Sequence, residues 1–475
     1  MVWKNKNKFL PSNSMDMEEE GNDQHTIDIW KVIDPDRLAS MELKILENPK
    51  LLNKSAGKTS CCIFRVPQSL IEMNGKAYQP RIVSIGPYHR AQPRLNMIEE
   101  HKWRYLGFLL NRTKTKGLGL DGLFKALAPL ESEARECYSE TIHLDSYDFI
   151  QMMILDGCFI VELFRKVAAL VPFERDDPLV TMAWILPFFY RDFLKLENQI
   201  PFFVLNQLFQ VTKLPGEKST WTLSTLAMMF FNNSLQRPED DVLWANVKGK
   251  HLLDLVRSSF IPNHEETTEP RQRVTTPTHV IHCVSKLRRA GIKINPGKES
   301  DSFLHVTFRR GVIEMPTLTM DDFMSCFLLN CVAFEQCYNG CSKHFTAYVT
   351  LLDCLVNTCR DVEYLCDRNM IENHFGTEGE VASFINNAGK DVAVDLDLCY
   401  LSKLFNDVHR YYRNSWHVQW ASFKYTYFDT PWSFISLLAA SILLLLSGSD
   451  LLCGFSVCSR LQQTMIPRSR RQRIV

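Results

Sequence analysis

Apolar positions in this chain gather into runs of three kinds. Residues 149–164 are apolar except at Gln151, Asp156, Gly157 and Glu162. The run is short for a bilayer span and carries two acids, so it predicts a core helix, with Gly157 admitting a close helix neighbour. Residues 191–209 have the same character, and Pro201 within them is expected to kink or end a helix. Segments 292–294, 303–308 and 312–315 are short, partly alternating and bounded by Gly or Pro, which predicts a small sheet. Polar, Pro-containing stretches at 213–219, 236–241 and 262–279 read as loops. The fold class expected is mainly α with a small β element.

The third kind of run is C-terminal. Residues 430–449 are 20 positions without a charge, most densely apolar in WSFISLLAASILLLL at 432–446. Thr430 suits a helix cap and Pro431 a first helical position. Twenty residues at about 1.5 Å each span roughly 30 Å, the thickness of a bilayer hydrocarbon core. Trp416, Trp420, Tyr425, Tyr427 and Trp432 stand where an interfacial aromatic belt would. The pattern therefore predicts a helical globular domain over 27–429 followed by one transmembrane helix over 430–449. A C-terminal helix buried in the chain's own core, in a soluble adaptor, is the competing reading.

Charge adds a polarity to this layout. The 475 residues hold 54 Lys and Arg against 54 Asp and Glu, a balance unlike the basic excess of a nucleic-acid binder. Residues 16–23 carry five acids and no base, which predicts a disordered acidic N-terminal tail over 1–26. Residues 450–475 hold Arg460, Arg468, Arg470, Arg471 and Arg473 against Asp450 alone, a basic tail. No apolar leader is visible at the N-terminus. The expected location is a plasma membrane or endomembrane, single-pass, with the globular domain in the cytosol. The Arg-rich tail pulls the other way, and an outward-facing domain would offer acceptor sites at Asn53, Asn111 and Asn232. Expected partners are the lipid bilayer and a protein, with no nucleic acid.

Tests for chemistry end without a constellation. Ala56-Gly57-Lys58-Thr59-Ser60 resembles the end of a phosphate loop, but Leu52 stands where its first Gly must be. Gly117, Gly119 and Gly122 spell G-x-G-x-x-G after a helical rather than a strand pattern, and read as an interhelical loop. Of the 15 Cys, seven lie between Cys326 and Cys366, where only Cys337 and Cys341, with His344, approach zinc spacing. Their apolar neighbours favour core thiols. Asp156, Glu162, Glu197 and Glu335 sit in apolar surroundings, where a buried acid has a raised pKa. A hydrogen-bonded framework, with Glu197, Asn198 and Gln199 tied to backbone or an Arg, is the favoured reading. No catalytic, cofactor-binding or metal-ligating residue is assigned, and no cofactor is expected. An enzyme is not expected, although a hydrolase using Asp156 or Glu197 in a buried pocket is the alternative.

Ten ordered blocks carry a resemblance: CCIFRVPQSL, AYQPRIVSIGPYHR, ARECYSE, MMILDGCFIVELFR, FLKLENQIPFFVLNQLF, LRRAGIKI, GVIEMPTL, VAFEQCY, LLDCLVNT and YFDTPWSFISLLAASILLLL. With them the chain resembles the plant "domain of unknown function 247" family from Cys61 to Leu446. The resemblance implies a mostly helical domain with a C-terminal transmembrane helix and no known enzyme activity. Some members resemble determinants of pollen–stigma self-incompatibility, which implies an interaction or recognition role. The stretch after Leu446, broken by Asp450 and ending in the basic tail, departs from the family pattern.

Overall fold

Helix α1 (Pro35–Leu46) starts with Pro at its first position, and Asp34 Oδ1 accepts the Asp36 N–H at 3.0 Å. It buries none of its residues and lies in the first of two compact units, Met1–Lys50 and Leu51–Val475. The computed structural model describes residues 34–46, 52–182, 184–213, 221–238, 241–262, 280–298, 302–413, 432, 435–436 and 438–446. The expected tails at 1–26 and 450–475 lie outside the described residues, as do most of the loops at 213–219 and 262–279.

In the second unit the apolar run at 149–164 is the middle of a 22-residue helix, α5 (Ser146–Val167). Asp145 caps it, accepting the Asp148 N–H at 2.7 Å. Preceding it in the chain are α2 (Gln68–Tyr78), α3 (Asn96–Thr113) and α4 (Leu120–Leu127). Following it are α6 (Ile185–Asp192), α7 (Phe202–Thr212), α8 (Leu223–Leu235) and α9 (Leu252–Ser258). Helix α5 packs chiefly between α3 and α7. A Cβ at Gly157 would come within 2.4 Å of Leu208 on α7, so this glycine permits the close helix approach that its place in the run suggested.

Pro201 acts differently from expectation. It precedes the first residue of α7 and so starts a helix rather than ending one. Its fixed φ and missing N–H suit an N-terminus, and residues 193–200 form a non-helical connector. The glycine-rich segment is an interhelical loop: Gly117 takes φ +69° after α3, and Gly119 caps α4.

Three strands, β1 (Lys293–Pro296), β2 (Thr307–Arg309) and β3 (Val312–Met315), form the expected small sheet in the order β1-β3-β2. Parallel β1 and antiparallel β2 flank β3. A second pair, β4 (Leu318–Met320) and β5 (Ile371–Asn373), is parallel. Besides several helices of four to six residues, the later part of the chain holds α10 (Asp322–Cys337), α11 (His344–Leu355), α12 (Cys359–Asp367), α13 (Glu378–Ala388) and α14 (Ser402–Arg413). Helix α10 packs on α11, α2 and α6. One continuous apolar core runs from Cys62 to Val408.

The expected transmembrane helix is corrected. Among the described residues no helix is long and apolar enough to cross a membrane. Several residues of the expected segment, 433–434, 437 and 447–449 among them, lie outside the described residues. The competing reading also fails for the large side chains described there. Trp432, Ile435, Leu438 and 442–446 are exposed rather than packed in the core.

Candidate functional site

Two sets of charged side chains bear on function: paired charges in the interior, and those lining two open clefts. The interior takes the acids singled out from the sequence. Asp156 projects from α5 and accepts the Gly86 N–H at 2.8 Å and Lys102 Nζ at 2.6 Å. Lys102, almost fully buried, spends its other donors on Glu99 and the Ser84 carbonyl. Glu162 is held bidentately by Arg112 across the α3–α5 contact.

Glu197 lies in the connector before α7. Its Oε1 accepts the Val66 N–H at 2.8 Å, and its Oε2 accepts Arg65 at 2.9 Å with His89 Nε2 at 3.0 Å. Burial alone would raise this carboxyl, but His89, the Val66 N–H and Arg65 together hold it below its ordinary value. The neighbouring amides work in the same way. Asn198 bonds Ile85 N–H and the Val83 and Asp192 carbonyls, while Gln199 bonds the Phe193 and Lys195 carbonyls. Glu335, at the end of α10, accepts Arg257 at 2.8 Å and the Phe345 and Thr346 N–H groups that open α11.

The favoured reading of Glu197, Asn198 and Gln199 as a hydrogen-bonded framework therefore holds. Asp156 and Glu197 are not brought beside each other, and neither lines either cleft described below. Both have oxygens engaged by backbone N–H groups and cations. Of the seven cysteines at 326–366, Cys326 and Cys331 are core thiols, Cys337, Cys341, Cys354 and Cys366 are half-buried, and Cys359 is exposed; burial pushes Cys337 up to about 12 and Cys341 to about 11, and each of these two donates to a backbone carbonyl. Among the described residues no three His, Cys, Asp or Glu side chains gather to hold a metal ion. Gly57 lies in consecutive turns with no helix following until Gln68, unlike a phosphate loop.

The larger cleft, about 510 Å³, opens between the end of α8, the strand β4 and the start of α10. Gln236 ends α8 in the left-handed conformation, and the Asn232 side chain bonds both the N–H and the carbonyl of Arg237. That fixes Arg237, whose guanidinium stacks 4.3 Å above the Phe260 ring and donates to Ser259. Burial lowers Arg237 to about 10. On the opposite wall Thr319 donates to Glu372 at 3.1 Å, beside exposed His374.

The backbone of β4 is used on one side only. Leu318 N–H donates to the Met370 carbonyl, and the Met320 carbonyl accepts His374 N–H. Strand alternation turns the Thr319 N–H and carbonyl the other way, and Thr319 lines the cleft.

A second cleft, about 360 Å³, lies among α2, α6, α10 and α13. Lys76, Arg81, Arg191 and Lys195 line it against one carboxylate, Asp322. Of the residues lining the clefts only Cys326 was named from the sequence, as one of seven clustered cysteines, and none of them was assigned to a site. The cations of the smaller cleft are scattered singly along the chain and carry no local pattern.

By class this is an α-rich scaffold with paired charges in its interior and two solvent-open clefts. The chain belongs to the plant family DUF247, described as "Plant protein of unknown function", whose profile matches residues 63–446. It is 38% identical to "UPF0481 protein At3g47200" of Arabidopsis thaliana over 423 residues, covering 84% of this chain and 87% of that one. It is 23% identical to "Putative UPF0481 protein At3g02645" of the same plant over 485 residues, covering 82% of this chain and 89% of that one. No solved structure matches the chain significantly.

Proposed function

We propose that the domain is a recognition module that binds an extended segment of a protein partner in the larger cleft. The observation supporting this is the outward side of β4, where the Thr319 N–H and carbonyl face away from β5. An added strand satisfies such groups, and side-chain pockets beside it select the sequence. Arg237 and the Phe260 ring supply such a pocket with a cationic wall and an aromatic floor. The interior carboxylates have framework roles, so the reading asks no chemistry of them.

Thr319→Pro removes the N–H donor at an outer strand position, where proline is tolerated. Partners captured from plant extract by the wild-type chain are then titrated against both purified proteins. The variant is expected to keep its circular dichroism and to bind about tenfold more weakly, the effect of one lost hydrogen bond of ~1.4 kcal/mol. A direct partner held equally by both proteins overturns the cleft assignment.

A further inference from the structure

The smaller cleft carries an inference that is independent of the partner-binding reading. Two of its four cations are neutralised within the fold. Arg191 donates to Asp322 at 2.8 Å, and Lys195 lies 3.5 Å from Asp192 while donating to the Gln79 carbonyl. Asp192 in turn accepts the Arg81, Ile82 and Val83 N–H groups, so it is fully occupied.

Lys76 and Arg81 remain. Both are exposed, and neither has a carboxylate partner among the described residues. Lys76 follows a break in α2, where Asn74 leaves helical geometry at φ −145°, ψ 42°, and Arg81 is held by its backbone N–H on Asp192. Arg191 adds positive charge at the cleft wall: its side chain is 11% exposed, it donates to Asp322, and its guanidinium lies 4.5 Å over the Phe188 ring. The far side is apolar, with Leu329 and the Phe375 and Phe384 rings, whose centroids are 5.5 Å apart.

We propose that this cleft binds a small phosphate monoester with an apolar or aromatic body. Two uncompensated cations match the charge of a phosphate monoester, about −1.5 to −2 at neutral pH. Guanidinium groups suit its oxygens geometrically. A cleft of about 360 Å³ is at the small end of ligand sites, of roughly 300–1,000 Å³, which fits a compact molecule. The phosphate lies against Lys76, Arg81 and Arg191, and the body lies on the two Phe rings.

Phenyl phosphate is the probe, titrated calorimetrically into the full chain. Inorganic phosphate, phenol, benzoate and a phosphoserine peptide serve as comparisons. Phenyl phosphate is expected to saturate one site and to bind at least tenfold more tightly than each comparison. Arg81→Glu and Lys76→Glu are each expected to weaken it tenfold or more, with an unchanged melting midpoint. His374→Ala, in the other cleft, leaves it unaltered. Absence of phenyl phosphate binding overturns the proposal, as does binding undiminished in both charge-reversal variants. Inorganic phosphate binding as tightly as phenyl phosphate removes the apolar subsite. A phosphopeptide binding more tightly than phenyl phosphate replaces the small ligand with a modified protein.

Discussion

Lys102 and Arg81 are both cations beside the 77–90 segment, yet their surroundings are opposite. Lys102 is 1% exposed and donates to two carboxylates and a carbonyl. Arg81 is exposed, with no carboxylate partner among the described residues. Interior charges persist only when their donors and acceptors are matched, because desolvation of an unmatched ion costs several kcal/mol. A surface cation is free of that constraint and remains available to a ligand. The contrast separates framework from site more reliably than residue type does. An acid in an apolar run, such as Asp156, first suggests catalysis; its partners give it a structural role instead.

Three experiments break or sharpen this contrast, beginning with the largest effect. Asp156→Ala leaves Lys102 buried with Glu99 and the Ser84 carbonyl, and is expected to lose about 3–5 kcal/mol in urea unfolding. Adding Lys102→Met should recover a large part of that loss, since no fully buried charge is then left unpaired and Glu99, 31% exposed, can turn to solvent. Recovery failing in the double variant would show that the ion pair is worth more than its desolvation.

His251 shows the same rule for a group that becomes charged. Its Nε2 lies 3.1 Å from the Cys62 carbonyl, and its Nδ1 accepts the Asp254 N–H that opens α9. Burial, outweighing the attraction of Asp254, lowers it from 6.5 to about 4. The unfolded chain takes up this proton near pH 6.5, and the folded chain only near 4, so protonation favours unfolding. Its contribution is complete above about pH 6.5 and declines as pH falls towards 4, by about 3 kcal/mol in all. His251→Asn should flatten this acid limb in unfolding free energies measured from pH 7 to 4. An unchanged slope would place the proton uptake elsewhere.

The smallest stability effect is expected in the smaller cleft. Arg81→Glu and Lys76→Glu should each change unfolding free energy by no more than about 0.5 kcal/mol, as exposed residues without a carboxylate partner do, the long 5.8 Å approach of Arg81 to the Phe188 ring included. A loss of 2 kcal/mol in either would make that cation part of the framework and erase the distinction.

Much of the fold was legible in the chain because helix formation is written locally. The run at 149–164 gave a core helix, Gly157 a close neighbour, and 292–294, 303–308 and 312–315 strand-containing segments around the small sheet. The family was legible too, in blocks now matched by its profile over 63–446. Two local readings failed for physical reasons. Pro201 has the same steric constraints at the start of a helix as at its end, so its direction depends on the connector before it. The apolar stretch at 430–449 met the composition of a span, yet among the described residues no helix is long and apolar enough to cross a membrane.

The sequence by itself determined the mainly helical class, the small sheet, the family and the apolar character of the core. Tertiary structure alone decided which charges are neutralised. Asp156 meets Lys102 across 54 positions, and Glu197 meets Arg65 across 132. Hydrophobic periodicity repeats every few residues and is visible in a short window. Charge pairing links residues that only the folded chain brings within 3 Å, so a saturated acid and a free cation look alike until it has folded.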